Sequence, residues 1–462
     1  MKTRKERDSL GEMEIPLEVY YGIQTQRAVD NFPVSGQKAH RLLIRAYTMI
    51  KRAAAMTHTE LGRLDGARGQ AIVTACDEIL DGKMADQFVV DVFQAGAGTS
   101  FNMNVNEVIA NCALELMGRP KGDYGFLSPN DHVNMAQSTN DTFPTAMHLS
   151  ALMLLQELMP PLRQLEQALS EKGKQFHGVI KSGRTHLQDA VPIRLGDEFR
   201  AYGAAIGRAI GQIEEQSKSL EELAIGGSAV GTGLNTPPGY RKGMVRRLKE
   251  MTGLELREAV DLREAMQSRL AISALSGALR GLGLELIRIA NDLRLLSSGP
   301  TTGLAEIRLP PVQPGSSIMP GKVNPVMLEC LNMIAFQVAG NDLTIAMAVQ
   351  AGQMELNVMM PVMIHNLLES MEILKNFLPA VTERCIDGIT VNEERCRAYL
   401  ERNPALATTL NPKIGYLKAA EVAKEALERG VSIREMVREK RLLGDEEIEE
   451  TLDPSGLVDA EG

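Results

Sequence analysis

The chain has 462 residues, 44% hydrophobic and 24% charged, with a formal net charge of −9, a balance that excludes a disordered tail or a fibre. The acidic excess argues against nucleic acid as a partner, because a phosphate backbone is repelled by such a field. Aromatic residues make up only 4%, with no Trp against 24 Met; a core of Leu, Ile, Ala and Met suits helix packed on helix, so a mainly α fold is expected.

In chain order, the one obvious basic patch is MKTRKER at residues 1–7, read as a solvated terminus. No apolar stretch follows it, so no signal peptide is expected. Residues 87–93 (QFVVDVF) are the best strand candidate among few. GAGTSFNMNVNE (96–107) joins two glycines to Thr99, Ser100 and several asparagines. It superficially resembles a dinucleotide loop, but Phe101 stands where the third glycine belongs, and no cofactor is expected. QSTND (137–141) sets Ser138, Thr139 and Asn140 before an apolar run, where a helix N-terminus offers free N–H groups to an anion. Leu155, Leu158, Leu162, Leu165 and Leu169 keep helical spacing around Pro160 and Pro161, which should break or kink that helix. GRTHLQDA (183–190) contributes Thr185 and His186.

Three runs then alternate in steps of three and four, each predicting a long helix with one apolar seam. They are Leu195–Phe199–Tyr202–Ile206–Ala209–Ile213–Gln216–Leu220–Leu223, Leu275–Leu279–Leu282–Leu286–Ile289–Leu293–Leu296, and Met327–Leu331–Ile334–Val338–Asn341–Ile345–Ala348. Ser297, Ser298, Gly299 and Pro300 stop the second. Helices of roughly 30 residues would be about 45 Å long and leave apolar flank that one chain can hardly cover. Gly203, Ala204, Ala205, Gly207, Ala209 and Gly211 allow close backbone approach. A long central helix bundle completed by other copies of the chain is predicted. Between the second and third runs lies PPVQPGSSIMPGKVNP (310–325), too rich in Pro and Gly for regular structure. Such a segment reads as a binding loop or lid carrying Ser316, Ser317, Lys322 and Asn324. In the tail, REMVREKRLLGDEEIEE reads as a surface helix–turn–helix.

Composition divides the chain into a mixed, mostly helical N-terminal domain (1–139), a central long-helix domain (140–396) and a small helical C-terminal domain (397–462). Charges interrupt every apolar run before the roughly 18 residues a membrane span needs, so no membrane is expected and the cytoplasm is the expected compartment. The five cysteines, with no CxxC, read as free thiols of a reducing compartment. Seven histidines without an HxxxH pair, and no cation-loop spacing of acids, give no support to a metal site. What remains is a set of neutral donors with one Lys and one His, which suits a small carboxylate. From the residues alone His186 is the natural base, since imidazole titrates near neutrality.

GSSIMPGKVNP resembles the signature loop of the aspartase/fumarase superfamily, and the resemblance runs from RKERDSLGEMEIP to GLV near the end. YYG (20–22), GAGTS (96–100), PNDHVN (129–134) and AGQMELNVM (351–359) resemble the aspartase branch, while QTQRA (24–28) and AIGGSAVGTGLN (224–235) resemble fumarases equally. Fumarases would carry Ser at Ala97 and usually His at Ser128. The resemblance implies a homotetrameric, cofactor-free α-helical lyase that converts L-aspartate reversibly to fumarate and ammonia through an aci-carboxylate. Class II fumarate hydratase is the alternative, and a catalytically silent structural protein a remote one. It also implies Ser316 as the base at Cβ, in place of His186. Thr99, Ser138, Thr139, Asn140, Thr185, His186, Ser317, Lys322 and Asn324 would bind substrate, and Glu329 would stand behind them as a supporting carboxylate.

Overall fold

A computed structural model describes residues 2–458, so Met1 of the basic patch lies outside the described residues. The chain is mainly helical, with four two-stranded sheets among the described residues. It divides into two compact units: residues 1–159, 211–281 and 336–374 form the first, and residues 160–210, 282–335 and 375–462 the second.

The first unit begins with an antiparallel hairpin, Thr3–Asp8 against Gly11–Pro16, in register from Thr3↔Pro16 to Asp8↔Gly11. Thr3 to Arg7 of the basic patch are therefore part of a strand, not a solvated terminus. Its inward positions are charged: Arg4 Nε donates to Glu6 at 2.8 Å, and the guanidinium also donates to the carbonyls of Pro16, Val19 and Tyr21. Helices Arg41–Glu60, Gly66–Leu80 and Thr99–Leu116 then pack in succession, and Tyr240–Thr252 packs on the first of them. Tyr47 meets Phe101 and Phe143 edge-on, at centroid distances of 5.5 and 5.8 Å.

Residues 87–93 do not form a strand. A short 3-10 turn, Ala85–Gln87, leads into them, and only Asp91 makes an isolated bridge, to Lys38. Side chains take the backbone groups that a ladder would have used. Asn104 accepts from Val89 N and donates to Gln87 O, and the Asp91 carboxylate accepts from Ser35 N and Gly36 N.

The second unit holds the hairpin Ile180–Thr185/Gln188–Arg194, with a bulge at Ser182/Arg184. Its tail packs helices Glu393–Arg402, Tyr416–Arg429, Ile433–Glu439 and Asp445–Thr451 around Leu400, Leu410, Val422, Met436 and Ile448. The last two are the predicted helix–turn–helix, and Ser432 with Glu435 closes a capping box at its start.

The long helices follow the predicted seams. Leu270–Leu296 and Val326–Gln350 match the second and third runs, and Leu275, Leu279, Leu282, Leu286, Ile289 and Leu293 are all buried. The first run is helical only over Leu195–Ser217, because Leu220 falls in the 3-10 turn Lys218–Glu221 and Leu223 in the short strand Glu222–Leu223. Leu270–Leu296 corrects one expectation: an 18-residue window within it reaches a mean hydropathy of 1.5 with at most two charges, enough by length and composition to cross a membrane. Its buried seam gives that hydropathy a use as core. Thr139–Gln175 runs unbroken through Pro160 and Pro161. Two prolines remove two hydrogen bonds from a 37-residue helix, and the turns on either side carry it across. Part of the small-residue stripe is consumed inside the chain. A Cβ on Gly203 would lie 2.7 Å from Ser170 Oγ and one on Gly207 2.5 Å from Glu166 Oε1, whereas Gly211 faces open space.

Candidate active site

In the first unit the backbone turns sharply before helix Thr99–Leu116. Gly96, Ala97 and Gly98 are successively left-handed, with φ of 74°, 57° and 94°. Glycine is required at 98, because a Cβ there would lie 2.0 Å from the Phe143 ring. Ala97 holds a conformation that costs a side-chain-bearing residue energy, the kind of strain that concentrates at functional sites. The turn exposes Thr99 at the head of the helix, its hydroxyl 2.6 Å from Gly96 O and 3.1 Å from Thr139 Oγ1.

The second element of the group is the start of helix Thr139–Gln175. Ser138 Oγ accepts from Asn140 N at 3.1 Å, so the predicted helix entry is present. Behind it, buried Asp141 accepts from the backbone of Ser138, Gly226 and Ser228 at 2.9, 3.0 and 3.1 Å. Asn140 Nδ2 donates to Ala229 O. Burial pushes the Asp141 carboxyl up to about 6, against those bonds and the nearby Lys51 charge. Thr99, Ser138, Thr139 and Asn140 thus form one group, with Thr99 and Thr139 in contact. Gly96, Thr99 and Ser100 line a cleft of about 700 Å³ whose other walls include Arg7, Arg27 and Asn130.

The remaining predicted residues belong to the second unit. Thr185 ends one strand of the hairpin, and His186 and Leu187 make its two-residue turn with φ of 53° and 62°. Two left-handed residues match the strand twist, a geometry usually given to Asn and Gly; here His and Leu hold it. Buried ions brace this hairpin. Glu306 pairs with Lys181 at 3.2 Å and with Arg184 at 2.9 Å, and Lys181 also pairs with Glu198 at 3.0 Å. Asn403 Nδ2 ties Ser182 Oγ and Ala190 O together across the strands.

Residues 310–325 have no regular structure, as predicted. The loop is pinched at its neck: Gly315 N donates to Lys322 O at 2.7 Å and Asn324 Nδ2 to Gly315 O at 2.7 Å. A Cβ on Gly315 would lie 2.6 Å from Lys322 O, so this approach needs glycine. Within the loop, Ser316 Oγ accepts from Ile318 N at 3.2 Å and Met319 N at 3.0 Å. Ser317 and Lys322 are exposed, and the Lys322 ammonium has no hydrogen-bond or ion-pair partner among the described residues. Glu329 is exposed in the first turn of helix Val326–Gln350, and no hydrogen bond joins it to His186 among the described residues.

Sequence reasoning missed the polar groups behind the first cluster: Lys51, Asn102, Asn134 and the role of Asp141. It also missed the Lys181–Arg184–Glu198–Glu306 network behind the hairpin. Lys51 carried a signal, being a lone cation on the apolar face of helix Arg41–Glu60 that also presents Tyr47. Among the described residues no cluster of three or more His, Cys, Asp or Glu is placed to hold a metal ion.

Residues 11–340 match the family described as Lyase, and residues 406–459 the one described as Fumarase C C-terminus. The chain is 51% identical over 451 residues to an aspartate ammonia-lyase of Bacillus subtilis (strain 168), covering 98% of this chain and 95% of that protein. It is 46% identical over 457 residues to the aspartate ammonia-lyase of Helicobacter pylori (strain ATCC 700392 / 26695), covering 98% of each. Among solved structures, a fumarate lyase:delta crystallin from Brucella melitensis superposes with a TM-score of 0.96 at 48% identity, covering 99% of this chain and 100% of that one. A class II fumarase from Schistosoma mansoni also superposes with a TM-score of 0.96, at 38% identity and 100% coverage of both chains.

Proposed function

The chain belongs to the aspartase/fumarase family of lyases, and on that premise we propose that it deaminates L-aspartate reversibly to fumarate and ammonia. The observation that carries this reading is the 46–51% identity to aspartate ammonia-lyases across essentially the whole chain. The substrate class is a small dicarboxylate. Ser316 removes a proton from Cβ, the adjacent carboxylate takes the charge as an aci-carboxylate, and ammonia then leaves.

A serine hydroxyl is too weak an acid to be ionised unaided, so its oxyanion must be stabilised by fixed donors. The N–H groups of Ile318 and Met319, already directed at Ser316 Oγ, support this role. Thr99, Ser138, Thr139, Thr185 and His186 are assigned to the carboxylate that accumulates charge. Lys322 and Asn324 hold the other carboxylate, with Asn140 and Ser317 completing the cage and Glu329 behind it. Removing one donor at the charged end costs ~3–4 kcal/mol. Closure of the 310–325 loop excludes water before the proton moves.

The working form is a homotetramer in which different copies supply different groups. An apolar stripe left exposed on helix Val326–Gln350, made of Met333, Phe336, Leu343 and Met347, supports subunit packing. The cytoplasm is the proposed compartment.

Class II fumarate hydratase is the second reading, favoured by the equally high superposition on the Schistosoma mansoni enzyme. Fumarate absorbance followed separately from L-aspartate and from L-malate decides between the two. Turnover of aspartate is expected; turnover of malate alone overturns the reading.

A further inference from the structure

Lys51 is fully buried, and its ammonium faces three side-chain amide oxygens: Asn102 Oδ1 at 2.8 Å, Asn134 Oδ1 at 2.9 Å and Gln137 Oε1 at 2.9 Å. Three acceptors match the three protons of an ammonium and leave none to a neutral amine, which has only two. Because Asn102 Oδ1 is occupied by Lys51, its Nδ2 must face the other way, and it donates to Thr139 Oγ1 at 3.0 Å. Thr99 Oγ1 shares its one proton between Gly96 O at 2.6 Å and Thr139 Oγ1 at 3.1 Å, so Thr139 accepts from this side as well. Thr139 then accepts through its lone pair and keeps its own proton to give away.

We infer that Lys51 is a positioning residue that, by fixing the orientation of the Asn102 amide, sets the Thr139 hydroxyl as a donor to the substrate carboxylate. This rests on the functional reading above, in which Thr139 touches substrate while Lys51 acts only through Asn102. Without the ammonium, only the 3.3 Å bond from Asn102 Nδ2 to Asn134 Oδ1 opposes a half-turn of the Asn102 amide, which would present oxygen to Thr139 and draw the Thr139 proton away from a ligand. Burial pulls Lys51 down to about 7 and the Asp141 carboxylate opposes that effect, while the three amide oxygens supply the acceptors that only the charged amine uses in full. A purely apolar side chain of the same length would fill the space without a desolvation cost.

The test is a double-mutant cycle on fumarate affinity, measured calorimetrically on the full chain with Lys51→Met, Thr139→Val and the combination. Lys51→Met is expected to weaken fumarate binding about tenfold, the loss of one well-directed hydrogen bond to a charged ligand, and to cost much less once Thr139 has lost its hydroxyl. Equal losses in both backgrounds, or no loss in the wild-type background, overturn the inference. Should Lys51→Met fail to fold, Asn102→Leu removes the same donor and is judged by the same coupling. Aspartate turnover by the unmodified chain is followed alongside: its absence overturns the substrate reading, while the fumarate cycle still judges Lys51. Failure of the unmodified chain to bind fumarate overturns both.

Discussion

The threonine group of the first unit and the serine loop of the second are built on opposite plans. Around Thr99 and Thr139 the polar groups are held from behind: Lys51 bonds Asn102, Asn134 and Gln137, Asn102 bonds Thr139, and Asp141 holds the backbone N–H of Ser138 at the helix entry. Residues 315–324 are held by their own backbone, through a neck at Gly315 and two bonds to Ser316 Oγ, while Ile318 is 84% exposed and Met319 48% exposed. A group that must present donors to an anion gains from being fixed before the ligand arrives, because no reorganisation is then needed. A group that must close over the ligand cannot be fixed beforehand. The contrast predicts that changes in the loop will alter turnover alone, and changes in the threonine group will alter stability and turnover together.

The sharpest separation is expected from Ser316→Ala. On the proposed assignment of Ser316 as the base, this change should lower kcat by roughly 10²–10⁴, whereas the melting temperature should stay close to that of the parent, since water replaces the hydroxyl as acceptor for two exposed N–H groups. Near-normal turnover would remove Ser316 from the chemistry. A much larger loss in His186→Ala would return the base role to the histidine that the composition first suggested.

Gly98→Ala should show the opposite pattern. The new methyl meets the Phe143 ring at 2.0 Å, and alanine must take a φ of 94°. Overpacking and the disfavoured backbone together should cost about 2–4 kcal/mol of stability, read by denaturant unfolding. Fumarate affinity should fall with it, because Thr99 begins at the next residue. If stability drops and affinity does not, the threonine group is less tightly coupled to its support than its hydrogen bonds imply.

How far the two regions were legible in the sequence follows the same division. The loop announced itself through five prolines and GSSIMPGKVNP, since breakers and hydroxyls leave a local signature. The seam from Leu275 to Leu293 was equally plain, because burial of one helix face imposes a period. The support of the threonine group was hidden: Asn102 and Asn104 lie four and six residues from Gly98 in a sequence that reads as polar, yet both are buried, with partners from distant segments. The first hairpin escaped for a related reason. Its inward positions are Arg4 and Glu6, so the alternation that marks a strand pairs charge with charge instead of apolar with polar. Residues 87–93 misled in the other direction, carrying strand-like composition while their backbone groups were taken by Asn104 and by Lys38.

Acid offers the smallest but most selective probe of this contrast, through a histidine in the scaffold of the threonine group. His148 lies on the helix that begins at Thr139, its Nδ1 at 2.9 Å from Glu222 O. Burial, aided by the nearby Arg269 cation, pulls the ring down to about 4 from an ordinary value near 6.5. The unfolded chain therefore takes up a proton near pH 6.5 that the folded chain resists until about pH 4. Between those limits the unfolded state binds more protons, so the contribution is complete above pH 6.5 and is lost as the pH falls toward 4. Between pH 7 and pH 5 the loss is on the order of 1–2 kcal/mol. His148→Gln keeps an amide donor for Glu222 O without the titration, and its melting temperature should fall less steeply between pH 7 and pH 5 than that of the parent. Parallel slopes would mean that the acid response of this unit comes from other groups, such as buried His58, whose ring is also lowered by desolvation. The loop from 310 to 325 contains no histidine, so acid in this range should reach it only through the protein that supports it.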